Sequence, residues 1–85
     1  MASMKKWEYD RELKWQTLPV ITSNPDDDIF VFCYKSEAGD YVISAMREGD
    51  IAGGEVEYEE SLPKAKKFAE RIAGDGSYTQ YLMSA

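Results

Sequence analysis

Apolar and polar residues change their spacing repeatedly along this chain, and each change predicts an element. From Lys5 to Gln16, Trp7, Tyr9, Leu13 and Trp15 take odd positions while charged residues fill most of the even ones, the alternation of a half-buried strand. An amphipathic helix with Met4, Trp7, Trp15 and Leu18 on one side is the alternative, and Arg11 interrupts its stripe. Pro19 and then Thr22, Ser23, Asn24, Pro25, Asp26, Asp27 and Asp28 combine turn formers with side chains that bond their own backbone, so a loop follows. Ile29 to Tyr34 is a continuous run of β-branched and aromatic residues, the pattern of a central strand buried on both faces.

Ser36, Glu37, Ala38, Gly39 and Asp40 read as a hairpin loop into a second apolar run, Tyr41 to Arg47. Gly49, Asp50, Gly53 and Gly54 mark another loop. Val56 and Tyr58 then alternate with Glu55, Glu57 and Glu59, as in a strand buried on one face. Ser61 suits a helix N-cap and Pro63 its first turn. Leu62, Ala65, Phe68, Ala69, Ile72 and Ala73 recur at helical spacing opposite Lys64, Lys67 and Arg71, and Gly74 is placed to close the helix in a left-handed conformation. Tyr78, Thr79 and Tyr81 favour a last strand over Ser77 to Ser84, with a short helix as the alternative. The expected fold is α+β, a small antiparallel sheet of three to five strands with one amphipathic helix at about residues 62–73 packed on one face. A hairpin and a further strand preceding a helix that opens Ser61, Leu62, Ala65, Lys66 is similar in outline to many short phage and mobile-element proteins. The similarity spans roughly residues 29–73 and is a packing plan rather than a family signature. The arm-binding domains of tyrosine recombinases share the outline and bind DNA through their sheet, whereas the strands here are acidic.

The 85 residues leave room for one core, and 44% hydrophobic residues are enough to fill it. Met1, Ala2 and Ser3 precede a second methionine and are read as a remnant outside the fold, which leaves 4–85 as a single domain. No apolar run is long enough for a membrane span or resembles a secretory signal, and Cys33 is the only cysteine, so a reducing, cytoplasmic setting is expected. The net charge of −6 is concentrated in the middle, where residues 26–60 hold eleven acidic and two basic groups. That concentration argues against direct nucleic-acid or anionic-membrane binding through the centre of the chain.

Candidate chemistry is sparse. Without histidine the chain lacks the commonest general base and metal ligand, and with them the Ser-His-Asp and Cys-His systems. Gly53-Gly54 lacks the lysine and the following helix of a phosphate cradle. Asp26, Asp27 and Asp28 lack the distributed ligands of a calcium loop and read as a solvated turn that keeps the next strand soluble. Cys33, between Phe32 and Tyr34, reads as a buried thiol. No catalytic residue, cofactor or metal site is assigned; a carboxylate enzyme using Glu48 or Asp50 is the weakest of the readings.

What stands out is charge and grease. Alternate residues of a strand project about 6.6–6.8 Å apart on one face, so Glu55, Glu57 and Glu59 form a row that either imitates a nucleic-acid backbone or simply discourages edge pairing. Ile29, Val31 and Cys33 point one way and Phe30, Phe32 and Tyr34 the other. Tyr41, Ile43 and Ala45 oppose Val42 and Met46 in the same manner. One helix covers one face, so the other calls for the N-terminal segment, a second copy or a different protein. The expected function is therefore a non-enzymatic protein-binding module, an acidic accessory or inhibitory protein of phage or mobile-element type. Its expected footprint is Glu55, Glu57, Glu59 and Glu60 with Asp26, Asp27, Asp28, Phe30, Phe32 and Tyr34, and its expected partner a basic protein surface. A homodimer burying the second sheet face and an acidic nucleic-acid mimic are the alternatives.

Overall fold

Five short strands pair in the order in which they occur. The structure, a computed structural model, describes residues 7–20, 28–49 and 55–82. Strands β1 (Glu8–Asp10), β2 (Trp15–Pro19), β3 (Ile29–Lys35), β4 (Tyr41–Arg47) and β5 (Glu57–Glu59) form one antiparallel sheet in the order β1-β2-β3-β4-β5. One helix, α1 (Leu62–Asp75), follows, and then a 3-10 helix over Ser77–Tyr81. The fold is α+β, as the spacing of apolar residues predicts.

The N-terminal segment becomes a tight hairpin rather than one strand or a helix. The Asp10 carboxylate accepts the backbone N–H groups of Glu12 and Leu13 at 3.0 and 3.1 Å, and Lys14 completes the turn with φ 59. Arg11 therefore interrupts a helical stripe because it sits in a turn. The central hairpin pairs Phe32 with Ser44 and Lys35 with Tyr41, and Gly39 takes φ 100 in its loop, where the N–H of Gly39 reaches the carbonyl of Ser36.

This register divides the sheet cleanly. Ile29, Val31 and Cys33 on β3, Ile43 and Ala45 on β4 and Leu18 on β2 share the face beneath α1, and Ala65, Ala69, Ile72 and Ala73 complete that core. The small alanines let the helix backbone approach the sheet closely. Ser61 occupies the N-cap position in extended conformation, and its carbonyl accepts the N–H of Ala65, although its side chain makes no capping bond. Trp7 pins the chain start to the helix, its indole N–H donating to Glu70 Oε2 at 3.0 Å with the Lys66 ammonium 5.3 Å from its ring centre.

Two expectations at the C-terminal end are corrected. Gly74 lies within the helix, and the left-handed closing residue is Gly76 at φ 87, with Asp75 Oδ1 accepting the N–H of Ser77. After that turn the chain forms a 3-10 helix where a strand was expected. The turn brings Tyr81 back against the core, edge-on to Phe68 at 6.3 Å, and burying that ring outweighs the extended preference of Tyr78, Thr79 and Tyr81.

Candidate functional site

The face of the sheet turned away from α1 carries an aromatic field. Cross-strand pairing puts Trp15, Thr17 and Pro19 on β2, Phe30, Phe32 and Tyr34 on β3, Val42, Ser44 and Met46 on β4 and Tyr58 on β5 on this one side. Trp15 stacks on Phe32 with ring centroids 4.2 Å apart and planes within 8°. It also stacks on Tyr34 at 5.5 Å, and Phe30 leans on Phe32 at 6.2 Å. Phe32 is only 3% exposed because it lies under Trp15, whereas Phe30, Tyr34, Trp15 and Met46 are half-buried and Tyr58 is 59% exposed. Among the described residues no helix or strand lies across this face. The N-terminal segment, expected as one possible cover, instead widens the sheet and contributes the single indole of Trp15.

Ser44 is the polar residue at the middle of the field. Its hydroxyl donates to the carbonyl of Glu55 at 2.8 Å, which satisfies the group where it is buried and anchors the approach to β5.

Acid borders the field along one edge and one end. Glu8 and Asp10 stand on β1, while Asp28 and Glu48 flank the hairpin's open end, where the N–H of Glu48 donates to the carbonyl of Asp28 at 2.7 Å. With Thr17, Pro19, Ile29 and Phe30 these four acids line a shallow concavity of about 480 Å³. The pairing of Lys35 with Tyr41 and of Arg47 with Ile29 sends both basic side chains to the helix side. Among the described residues the ion pair present is Glu60 with Lys64, so none of the four rim acids is matched.

The residues singled out in the sequence thus divide between two places. Asp28, Phe30, Phe32 and Tyr34 come together on the open face. Asp26, Asp27, Asp50, Gly53 and Gly54 lie outside the described residues. Glu57 and Glu59 face the helix side at the sheet's far edge, the reverse of the outward row expected, because β5 pairs Tyr41 with Glu59 and Val42 with Tyr58. There the Tyr81 hydroxyl lies 3.4 Å from Glu57 Oε1, and Glu59 shares a groove of about 420 Å³ with Lys64, Lys67, Phe68 and Arg71. Burial and the neighbouring Glu57 carboxylate push the Tyr81 hydroxyl upward, and the hydrogen bond from Lys64 holds the Glu60 carboxyl below its usual range. Glu55 precedes β5 and is exposed.

Trp15, Glu8, Asp10 and Tyr58 belong to the field or its rim and were not assigned to this face beforehand. Met46 lies where the alternation of β4 puts it, opposite Phe30 on the open face. Trp15, Glu8 and Asp10 needed the turn at Arg11–Lys14 to be recognised. Cys33 is buried on the helix side, and loss of solvent pushes its thiol from 9.0 up to about 11, with Lys66 pulling less strongly the other way. It is therefore a packing residue. Among the described residues no helix is long and apolar enough to cross a membrane, and no three Asp, Glu, Cys or His side chains are grouped to hold a metal ion. No protein-family model, curated protein or solved structure matches the chain.

Proposed function

We propose that this chain is a non-enzymatic protein-binding module that docks a basic partner on the open face of its sheet. The observation that carries the reading is the stacked field of Trp15, Phe30, Phe32 and Tyr34, which no helix or strand among the described residues crosses, beside four acids that make no ion pair among the described residues. Aromatic side chains at low conformational cost are what interfaces use for affinity, and an acidic border steers a cationic surface toward them. A second copy of the chain fits less well. Two-fold pairing of this face would bring acidic borders toward each other, and among the described strand residues the basic side chains of Lys35 and Arg47 lie on the helix side. An accessory or inhibitory role suits a module that works through such a surface.

Binding should weaken as salt is raised, because the border contributes through long-range attraction. The test is capture of interacting proteins on immobilised wild-type chain at low salt, repeated with Phe30→Ala, Tyr34→Ala and the groove variant Lys67→Ala. A basic protein held by wild type and Lys67→Ala and lost from both aromatic variants supports the reading. Equal capture by all four chains, or a concentration-independent dimer in sedimentation velocity, overturns it.

A further inference from the structure

We infer that the occupant of the open face is an amphipathic helix of about three to four turns, bearing lysine or arginine, which the partner supplies. This rests on the reading that the face binds protein and adds the shape and chemistry of what it binds. The apolar part of the face runs from Trp15 on β2 across the rings of β3 to Val42 and Met46 on β4, about 10 Å between its outer strands, with the exposed Tyr58 of β5 beyond it. That is close to the 10–12 Å or so of one helix with its side chains. Along the strands, the six steps from Asp28 to Tyr34 cover about 20 Å, the length of about 13 helical residues.

The molecule already shows this arrangement on its other side, where α1, of 14 residues, packs chiefly over β3 and β4. A helix on the open face would make the sheet the middle of three layers. A second sheet as wide as this one would have to place a strand over the charged β1, whereas a helix stops at β2. The side chains facing Trp15 and Phe32 should be small or free of branching at Cβ, because the rings stand tall on the sheet and leave less room than the valine and isoleucine under α1. Cationic residues belong on the flank that meets Glu8 and Asp10 and at the end that meets Asp28 and Glu48, which make no ion pair among the described residues.

The test is a titration of the ¹⁵N-labelled chain with three synthetic peptides of about 14 residues. One combines alanine, leucine and lysine in a helical apolar stripe. The second has the same composition reordered to break the stripe, and the third replaces lysine by glutamate. The expected result is amide shifts concentrated at Trp15, Phe32, Tyr34 and Met46 with the first peptide, and at least about tenfold weaker binding of the other two. Tyr34→Ala should lose about tenfold, and Glu48→Gln a few-fold that disappears at high salt. Circular dichroism confirms that each variant is folded.

Equal binding of the reordered peptide on the same face overturns the helix and leaves the protein-binding reading standing. Shifts confined to the groove of Lys64, Lys67 and Arg71, or none with any basic peptide, overturn both. Concentration-dependent shifts at the open face without peptide make a second copy the occupant, and that also overturns both.

Discussion

Replacing one residue on each face of the central hairpin tests whether the two faces differ as described. Ile43 has no exposed surface and lies between β3 and α1, so Ile43→Ala removes buried methyl groups and leaves a cavity, at a cost of about 2–5 kcal/mol. An 85-residue domain holds about 4–13 kcal/mol in all, so this one change uses a large share of it. At about 4–8 °C per kcal/mol, a loss of about 3 kcal/mol lowers Tm by about 12–24 °C. Tyr34 is half-buried on the open face, where it pairs with Val42 across the strands and stacks at 5.5 Å on Trp15. Tyr34→Ala gives up one cross-strand contact and part of a stack that water already reaches, about 1–1.5 kcal/mol together. Urea melts of both variants against wild type, read by circular dichroism with the m-value held to the wild-type slope, supply the comparison. If Tyr34→Ala costs as much as Ile43→Ala, the open face is a covered core. Such a face has no need of an outside partner.

Three further outcomes follow from local chemistry. Because burial holds the Cys33 thiol protonated up to about pH 11 while the unfolded chain releases that proton near 9.0, its share of stability is intact below pH 9. That share falls by roughly 2 kcal/mol as pH rises to 11, and Cys33→Ala should flatten this alkaline slope in pH-dependent urea melts. Lys14 holds φ 59 in an exposed turn, so Lys14→Gly should raise stability by about 0.5–1 kcal/mol in the same melts; a loss would show that its side chain packs on something. Gly76→Ala places a Cβ at φ 87 with open space around it, so its cost of about 1–2 kcal/mol is backbone strain alone, and Gly76→Asn should recover part of it.

The elements that were legible in the sequence are those whose local signals agree with one another. Turn residues frame the hairpin of β3 and β4, and its two-sided apolar pattern places apolar side chains on both faces of the sheet. In α1 the alanine stripe and Pro63 fix the start and the buried side. What could not be read depended on partners distant in the chain. Lys5 to Gln16 alternates well enough to resemble one strand, and only the Asp10 carboxylate capturing two N–H groups turns it into two. The last segment has the composition of a strand, yet its fate is set by the space beside Phe68 for the ring of Tyr81.

The glutamate row shows the same limit at the site itself. Alternation states that Glu57 and Glu59 share a side, and says nothing about which side it is. The register of β5 on β4 decides that, and the bond from Ser44 to Glu55 helps to hold it. It turns the glutamates toward the lysines and arginine of α1 and leaves Tyr58 on the open face. One residue of slip would reverse the assignment, returning the acids to the aromatic field and hiding the tyrosine. The acidic border of the field is therefore made by Glu8, Asp10, Asp28 and Glu48, drawn from three separate stretches of chain. Charge counted along the sequence pointed to residues 26–60, whereas two of the four border acids, Glu8 and Asp10, come from β1, and only the pairing of strands shows which acids share the open face.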